Sequence, residues 1–144
     1  MIDTTYLESI EPSFLLQRLI EQYQKQDSLI IAYDFDDTVS PYACSNCTEV
    51  QSVLRMSKEN LNAYFIVYTC NSNHQKIKDF LDYNRLPYDC INAPAPFSPL
   101  TPAAIGEKLY YNILLDDKAG LGEAVRTLKT LNRLVYQGVI KKNV

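Results

Sequence analysis

Two short clusters of aspartate each follow directly on an apolar run. The first follows residues 28–33 and the second follows residues 113–115, and together they comprise Asp34, Asp36, Asp37, Asp116 and Asp117. Two such carboxylates ~4 Å apart, at an effective dielectric constant of ~20, repel each other by about 4 kcal/mol. A divalent cation relieves this repulsion, and an all-oxygen ligand set favours Mg²⁺, which commonly shares its ligand shell with a substrate phosphate. The clusters therefore predict a Mg²⁺ site.

The spacing within the first cluster allows two carboxylates to perform different tasks in one reaction. Asp34 and Asp36 lie two positions apart across a turn, so both can face one site. A carboxylate bound to metal stays ionised and can act as a nucleophile, whereas a carboxylate off the metal can transfer a proton. Thr69 supplies a hydroxyl after another apolar run, and Lys108 supplies a cation that can stabilise a transferring phosphoryl group.

The hydrophobic pattern places these residues at one edge of a sheet. Short apolar runs predict strands at residues 28–33, 63–68, 88–91 and 109–115. Helical spacing predicts helices at residues 12–25, with Ser13 as a cap, 48–59, 73–84 and 121–136, and four prolines predict a loop at 93–106. Strands alternating with helices indicate an α/β fold with a mainly parallel sheet, in which ligands bind at the carboxyl ends of the strands.

The motifs that carry this chemistry resemble those of the haloacid dehalogenase-like (HAD) superfamily of phosphohydrolases. Its first motif, an apolar strand followed by Asp-x-Asp-x-Thr, is matched by residues 30–38, and its second, an apolar strand ending in Thr, by residues 65–69. Its third motif, a lysine, is matched by Lys108, and its fourth, an acidic pair after a strand, by residues 113–117. The resemblance covers about residues 28–136, and the run at residues 116–121 also resembles that of short bacterial and phage members.

This resemblance implies a three-layer Rossmann-like (HAD-like) fold without a cap domain, and a two-step phosphatase mechanism. Asp34 is expected to attack phosphorus and form an aspartyl-phosphate. Asp36 is expected to protonate the leaving oxygen and then to deprotonate the hydrolytic water. Mg²⁺ is expected to be held by Asp34, the backbone carbonyl of Asp36 and the pair Asp116 and Asp117, with Asp117 as the direct ligand of that pair.

The residues expected to bind substrate are Thr69, Cys70, Asn71 and Lys108. The resemblance implies that Thr69 and Lys108 hold the phosphoryl oxygens. Cys70 and Asn71 open one of the three segments expected to line the mouth of the site, which are residues 40–47, 70–74 and 93–104. Asp37 stands where superfamily members often have glycine, and it is expected to face away from the metal.

The spacing between the motifs predicts an open site. Thr38 and Thr69 lie 31 positions apart, Thr69 and Lys108 lie 39 positions apart, and neither interval accommodates a folded cap domain. An open site suits a large phosphorylated substrate, such as a polynucleotide end or a phosphoprotein, or a small molecule in a site that oligomerisation closes. Tyr42 and Phe97 could stack on a base or could equally serve packing.

Composition and net charge further limit the classes of protein to which this chain can belong. The 144 residues are expected to form a single domain, with a helical extension at 1–27 and a catalytic core at 28–136. A net charge of −3 provides no broad basic surface for nucleic acid. No apolar run approaches the ~20 residues of a membrane span and no signal-peptide pattern is present, so a cytoplasmic protein without membrane contact is expected.

Three other interpretations compete with the phosphatase. Cys44 and Cys47 have the spacing of a zinc or redox pair, but Cys70 and Cys90 do not form a second close pair, so four ordinary thiols are expected. A receiver domain also has an acidic pair, a Thr and a Lys, but here the second acidic pair follows the lysine. The alternative from another functional class is a catalytically idle HAD-like domain that binds metal and serves as a scaffold.

Overall fold

Four helices and four strands occur in the part of the chain that the computed structural model describes, which is residues 13–42, 46–98 and 109–143. In chain order they are α1 (Phe14–Lys25), β1 (Ile30–Tyr33), α2 (Thr48–Asn60), β2 (Tyr64–Val67), α3 (His74–Tyr83), β3 (Cys90–Ile91), β4 (Ile113–Leu115) and α4 (Leu121–Tyr136). The predicted α/β fold is confirmed. Within these residues, no helix combines the length and the apolar character needed to cross a bilayer.

The four strands form one sheet in the order β3-β2-β1-β4, and every neighbouring pair is parallel. Ile31 of β1 lies opposite Phe65 of β2 on one side and opposite Ile113 of β4 on the other. The chain moves outward from β1 to β2 and β3, and then returns to the opposite side of β1 to form β4. Such a reversal is a topological switch point, where ligands bind in parallel α/β sheets.

Side chains alternate between the two faces of the sheet and divide the core into two clusters. Ile31, Tyr33, Phe65 and Val67 belong to the larger cluster, to which all four helices contribute buried side chains. Helix α1 joins this cluster through Leu19 and Tyr23. The segment predicted as an N-terminal extension therefore contributes to the same core as the sheet.

The opposite face carries a smaller cluster, formed by Ile30, Ala32, Ile66 and Ala95. Partly buried residues at 109–111 pack against it. Residues 99–108, most of which belong to the predicted loop, lie outside the described part of the chain, and among the described residues no helix covers this face. The described residues therefore establish an α/β fold of the Rossmann-like class with helices on one face.

Side-chain hydrogen bonds explain where two elements begin. Helix α1 begins after Ser13, whose Oγ accepts a hydrogen bond from the Leu16 N–H at 3.1 Å, so the predicted cap is confirmed. Strand β4 is shorter than predicted because it starts at Ile113 rather than at residue 109. The side-chain Oδ1 of Asn112 accepts the Ile30 N–H at 2.8 Å, in place of the backbone carbonyl that a longer strand would present.

Candidate functional site

The carboxyl ends of three adjacent strands bring the predicted acidic and hydroxyl groups to one edge of the sheet. Strand β1 leads directly into Asp34, β4 leads directly into Asp116, and β2 ends two residues before Thr69. Because β1 lies between β2 and β4, Asp34 has Thr69 on one side and the acidic pair on the other. The Asp34 N–H donates to the Leu115 carbonyl at 2.9 Å, which ties the central strand end to β4.

A tight turn after β1 directs Asp34 and Asp36 away from the core. Phe35 between them is 2% exposed and packs edge-on against Phe80, with ring centroids 5.4 Å apart. Because neighbouring side chains in extended backbone point to opposite sides, burial of Phe35 turns both carboxylates outward. The Phe35 carbonyl accepts backbone hydrogen bonds from residues 38–40, which closes the turn.

Asp37 occupies a position of this turn that favours glycine. Its φ is +60°, in the left-handed region that few residues other than glycine, asparagine and aspartate adopt readily. Its Oδ1 accepts the Tyr42 N–H at 2.9 Å. An aspartate at this position, in place of glycine, is therefore compatible with the turn. Asp37 lines the cavity described below, but it is not one of the three carboxylates that approach one another.

Three carboxylates can each contribute an oxygen to one cation. Oxygens of Asp34, Asp116 and Asp117 all lie within 4.8 Å of one another. Two ligand oxygens on opposite sides of a Mg²⁺ ion lie about 4.2 Å apart, so small side-chain movements complete such a set. The all-oxygen composition fits a hard cation such as Mg²⁺. The carboxylate of Asp36 is not in this group, which is compatible with its expected contribution through the backbone carbonyl.

Thr38 connects the turn after β1 to the acidic pair after β4. Its side chain is fully buried, and its hydroxyl oxygen accepts the Asp117 N–H at 3.1 Å. The same hydroxyl donates to Asp117 Oδ1 at 3.3 Å. Although Asp117 is exposed, its two hydrogen bonds to the buried Thr38 restrict its position.

Burial raises the pKa of Asp34 to about 6. The hydrogen bond from the Phe35 N–H opposes this shift, because it stabilises the ionised carboxylate. The neighbouring carboxylates of Asp116 and Asp117 reinforce the shift by like-charge repulsion. A cation bound among the three carboxylates would favour the ionised form of Asp34, so metal binding and ionisation of Asp34 are coupled.

Asn71 contacts the predicted proton-transfer residue. Its Nδ2 donates to Asp36 Oδ2 at 3.2 Å, and its own Oδ1 accepts the Asn73 N–H at 2.9 Å. The backbone N–H of Asn71 donates to the hydroxyl oxygen of Thr69 at 3.1 Å. That bond uses the hydroxyl as an acceptor, so its O–H hydrogen can be donated to an incoming oxygen. Among the described residues, none accepts that hydrogen.

Asn92 is a site residue that the sequence interpretation missed. It follows β3 at the same edge, with a φ of +51°. Its Oδ1 accepts the Thr69 N–H at 2.8 Å, while its Nδ2 donates to the Thr69 carbonyl at 2.7 Å. These two bonds, which we call the Asn92 clamp, fix the backbone that carries the Thr69 hydroxyl. The available signal was its position directly after a predicted strand, which it shares with Asp34 and Asp116.

A cavity of about 450 Å³ opens among these groups. The described residues that line it are Asp34, Asp36, Asp37, Tyr68, Thr69, Cys70, Asn71, Asn92, Asp116, Asp117 and Lys118. Of the residues predicted to bind substrate, Thr69, Cys70 and Asn71 line the cavity, whereas Lys108 lies outside the described residues. Lys118 is the only cation among the described lining residues.

The two aromatic residues considered for stacking do not line this cavity. Phe97 packs edge-on against Tyr64, with ring centroids 5.3 Å apart, and borders a separate cavity beside residues 26–28 that precede β1. It therefore lies toward the opposite edge of the sheet, and its predicted position at the mouth is wrong. Tyr42 is 85% exposed and is absent from the described lining of the 450 Å³ cavity.

The predicted pair of Cys44 and Cys47 is only partly described. Cys47 is buried at the start of α2, and Cys44 lies outside the described residues. Cys70 and Cys90 are free thiols. In residues 13–42, 46–98 and 109–143, the one group of three or more potential metal ligands is the aspartate trio.

The chain has no match among protein-family models, curated proteins or solved structures. What distinguishes the site is therefore physical: three carboxylates, a further carboxylate held by an amide, and a hydroxyl on a fixed backbone meet at the switch point of a parallel sheet.

Proposed function

We propose that this protein is a Mg²⁺-dependent phosphatase of the HAD type, which hydrolyses a phosphomonoester through an aspartyl-phosphate on Asp34. The observation that carries the proposal is the central position of Asp34. It lies between the Asp116 and Asp117 carboxylates on one side and Thr69 on the other, with Asp36 two residues away. Five carboxylates line the cavity with one described lysine, so a phosphate dianion requires a cation to approach.

In the first step, the ionised Asp34 carboxylate attacks phosphorus. A bond forms between an Asp34 oxygen and phosphorus, and the bond from phosphorus to the alcohol oxygen of the substrate breaks. Asp36 transfers its proton to that alcohol oxygen. The hydrogen bond from Asn71 to Asp36 Oδ2 orients the carboxyl group and leaves its other oxygen for the transfer.

In the second step, water attacks the same phosphorus and releases inorganic phosphate. Asp36, now ionised, accepts a proton from the water, and the bond between phosphorus and Asp34 breaks. Thr69 donates its O–H to a phosphoryl oxygen, and the resemblance assigns Lys108 to another. Asp34, the Asp36 carbonyl and the acidic pair would hold Mg²⁺, which would supply positive charge to offset the carboxylates and the phosphoryl group.

The direct test is hydrolysis of phosphate esters by the purified wild-type protein. A panel of an aryl phosphate, nucleoside monophosphates and 3′-phosphorylated oligonucleotides is incubated with Mg²⁺, and released phosphate is measured. Activity is expected with Mg²⁺ and is expected to be lost when EDTA removes it. Inactivity towards the whole panel, combined with measurable Mg²⁺ binding, would instead support the idle scaffold.

The Asn92 clamp supplies a second test of this site. Asn92→Gly removes both bonds to Thr69 while keeping a residue that adopts positive φ without strain. We expect kcat/KM to fall about 10- to 100-fold, because the Thr69 hydroxyl loses its fixed position. We expect the free energy of unfolding to change by less than about 1 kcal/mol, because Asn92 is exposed.

Asn62→Gly is the matched control for this variant. Asn62 also has a left-handed backbone, with a φ of +49°, and is exposed outside the cavity. Its backbone carbonyl accepts a hydrogen bond from Ser28 Oγ at 2.7 Å, and glycine preserves that bond. Unchanged kcat/KM is expected for Asn62→Gly. If Asn92→Gly were also fully active, the clamp would have no part in positioning Thr69.

A further inference from the structure

The cavity offers more space than a phosphoryl group requires. Its volume of about 450 Å³ lies in the range of sites that hold an organic ligand. Most of the polar side chains in its wall already have partners within the protein. Asn71 is bonded to Asp36 and Asn92 to Thr69, while the aspartate trio faces the proposed metal. Of the described lining side chains, Tyr68, Cys70 and Lys118 are left to contact the organic part of a substrate.

Tyr68 presents an uncovered aromatic ring at this wall. It shares the side-chain direction of Tyr64 and Ile66, which pack into the smaller core cluster, but it lies one residue beyond β2 and is 43% exposed. Its backbone is fixed, because its N–H donates to the Tyr33 carbonyl at 2.8 Å. Within the described residues, its ring has no aromatic contact and its hydroxyl has no hydrogen-bond partner.

The charge of the wall limits what the organic part can be. Five aspartates line the cavity, and Lys118 is the single described cation. The positive charge of a bound metal would be balanced by the phosphoryl group, so the carboxylates would repel a second anionic group of the substrate. An uncharged organic group with a flat apolar face suits a wall that combines carboxylates with one exposed aromatic ring.

We propose that the organic part of the substrate is a nucleoside whose base stacks on Tyr68, so that the substrate is a nucleotide phosphomonoester. This inference rests on the proposed phosphatase function and adds the substrate class to it. Tyr68 and Thr69 both line the cavity, so the stacking surface borders the same space as the hydroxyl proposed to bind the phosphoryl group. The sugar spans the distance between base and phosphate. Both a free nucleoside monophosphate and the terminal nucleotide of an oligonucleotide offer this chemistry.

The test compares substrates with and without a base. For the wild type, kcat/KM is measured for a nucleoside 5′-monophosphate, a 3′-phosphorylated oligonucleotide and ribose 5-phosphate, all with Mg²⁺. A nucleotide is expected to be preferred over ribose 5-phosphate, and the favoured nucleotide form identifies the source.

Tyr68→Leu is expected to lower the ratio of nucleotide to ribose 5-phosphate kcat/KM about 5- to 50-fold, chiefly through KM. Tyr68→Phe is expected to keep the ratio, because the ring is retained.

Tyr83→Leu controls for the loss of an exposed tyrosine, because Tyr83 is 88% exposed at the end of α3 and is absent from the described cavity lining. It should leave the substrate ratio unchanged. Equal use of nucleotide and ribose 5-phosphate by the wild type, or an unaltered ratio in Tyr68→Leu, would overturn the inference while the phosphatase proposal stands. A similar loss in Tyr68→Phe and Tyr68→Leu would assign the effect to the hydroxyl and also overturn stacking. Inactivity on every ester would refute both proposals.

Discussion

Asp34→Asn is expected to reduce phosphatase turnover at least about a thousandfold and, without metal, to make the protein more stable at neutral pH. Turnover falls because an uncharged amide cannot attack phosphorus. The fold should tolerate the change, because asparagine has nearly the same shape and keeps an oxygen for the Phe35 N–H, which donates to Asp34 Oδ1 at 2.8 Å. Release of phosphate and chemical denaturation in EDTA measure the two effects.

The gain in stability follows from the pKa of Asp34. In the folded protein without metal this pKa is about 6, against about 3.9 in an unfolded chain. Between these values the folded state binds more protons, so stability falls as pH rises from about 4 to 6 and stays reduced above it. A two-unit shift corresponds to about 3 kcal/mol, which solvent screening of this partly exposed carboxyl reduces to about 1–2 kcal/mol.

The comparison between wild type and Asp34→Asn isolates this group from the other carboxylates. The variant is expected to be more stable by about 1–2 kcal/mol at pH 7.5, and the difference should disappear near pH 4. Saturating Mg²⁺ should reverse the order, because the wild type binds the cation more tightly. A variant that retains full activity would show that Asp34 is not the nucleophile. A stability difference independent of pH would show that the charge of Asp34 does not destabilise the fold.

Thr38→Val is expected to weaken Mg²⁺ binding about 10- to 100-fold, although Thr38 itself is not a proposed ligand. Valine has the shape of threonine, but it loses the hydroxyl that accepts the Asp117 N–H and donates to Asp117 Oδ1. Asp117 would then occupy more orientations, and its N–H would lack a partner. We expect the free energy of unfolding to fall by about 1–2 kcal/mol. Calorimetric titration with Mg²⁺ measures the affinity, and urea denaturation in EDTA measures the stability.

Thr38→Ser separates positioning of Asp117 from a general loss of stability. Serine keeps the hydroxyl but removes a buried methyl group, which is expected to destabilise the fold by about 1 kcal/mol. Its Mg²⁺ affinity should stay within about threefold of the wild type. Similar losses of affinity in both variants would indicate that packing at Thr38, rather than its hydroxyl, controls the site.

Local sequence patterns predicted the fold and the sheet edge at which the site residues meet. Apolar runs of strand length alternate with helical spacing, and this alternation predicted the α/β fold and the parallel sheet that the structure confirms. In a parallel sheet all carboxyl ends meet at one edge, so Asp34, Thr69 and Asp116 were expected to converge there. The prediction succeeded because the apolar periodicity of strands and helices depends on neighbouring residues, and helices between successive strands indicate a parallel sheet.

Errors arose where side chains depend on distant partners. The sequence predicts Phe97 at the mouth of the site, but Phe97 packs against Tyr64, 33 positions earlier in the chain. Strand β4 was predicted to begin at residue 109, but Asn112 replaces the backbone acceptor for the Ile30 N–H across 82 positions. No local pattern distinguishes such a contact from an ordinary loop residue.

The sequence by itself determined that acidic and hydroxyl side chains follow three strands. It also determined that the acidity is local, because without Asp34, Asp36, Asp37, Asp116 and Asp117 the net charge changes from −3 to +2. The tertiary structure decided which of them meet. It set β4 beside β1, bonded Thr38 to Asp117 across 79 positions, and fixed Thr69 through Asn92 across 23. These contacts join residues that are far apart in the chain, and no periodic sequence pattern relates them. Only the packing of the sheet and helices brings them within hydrogen-bond distance.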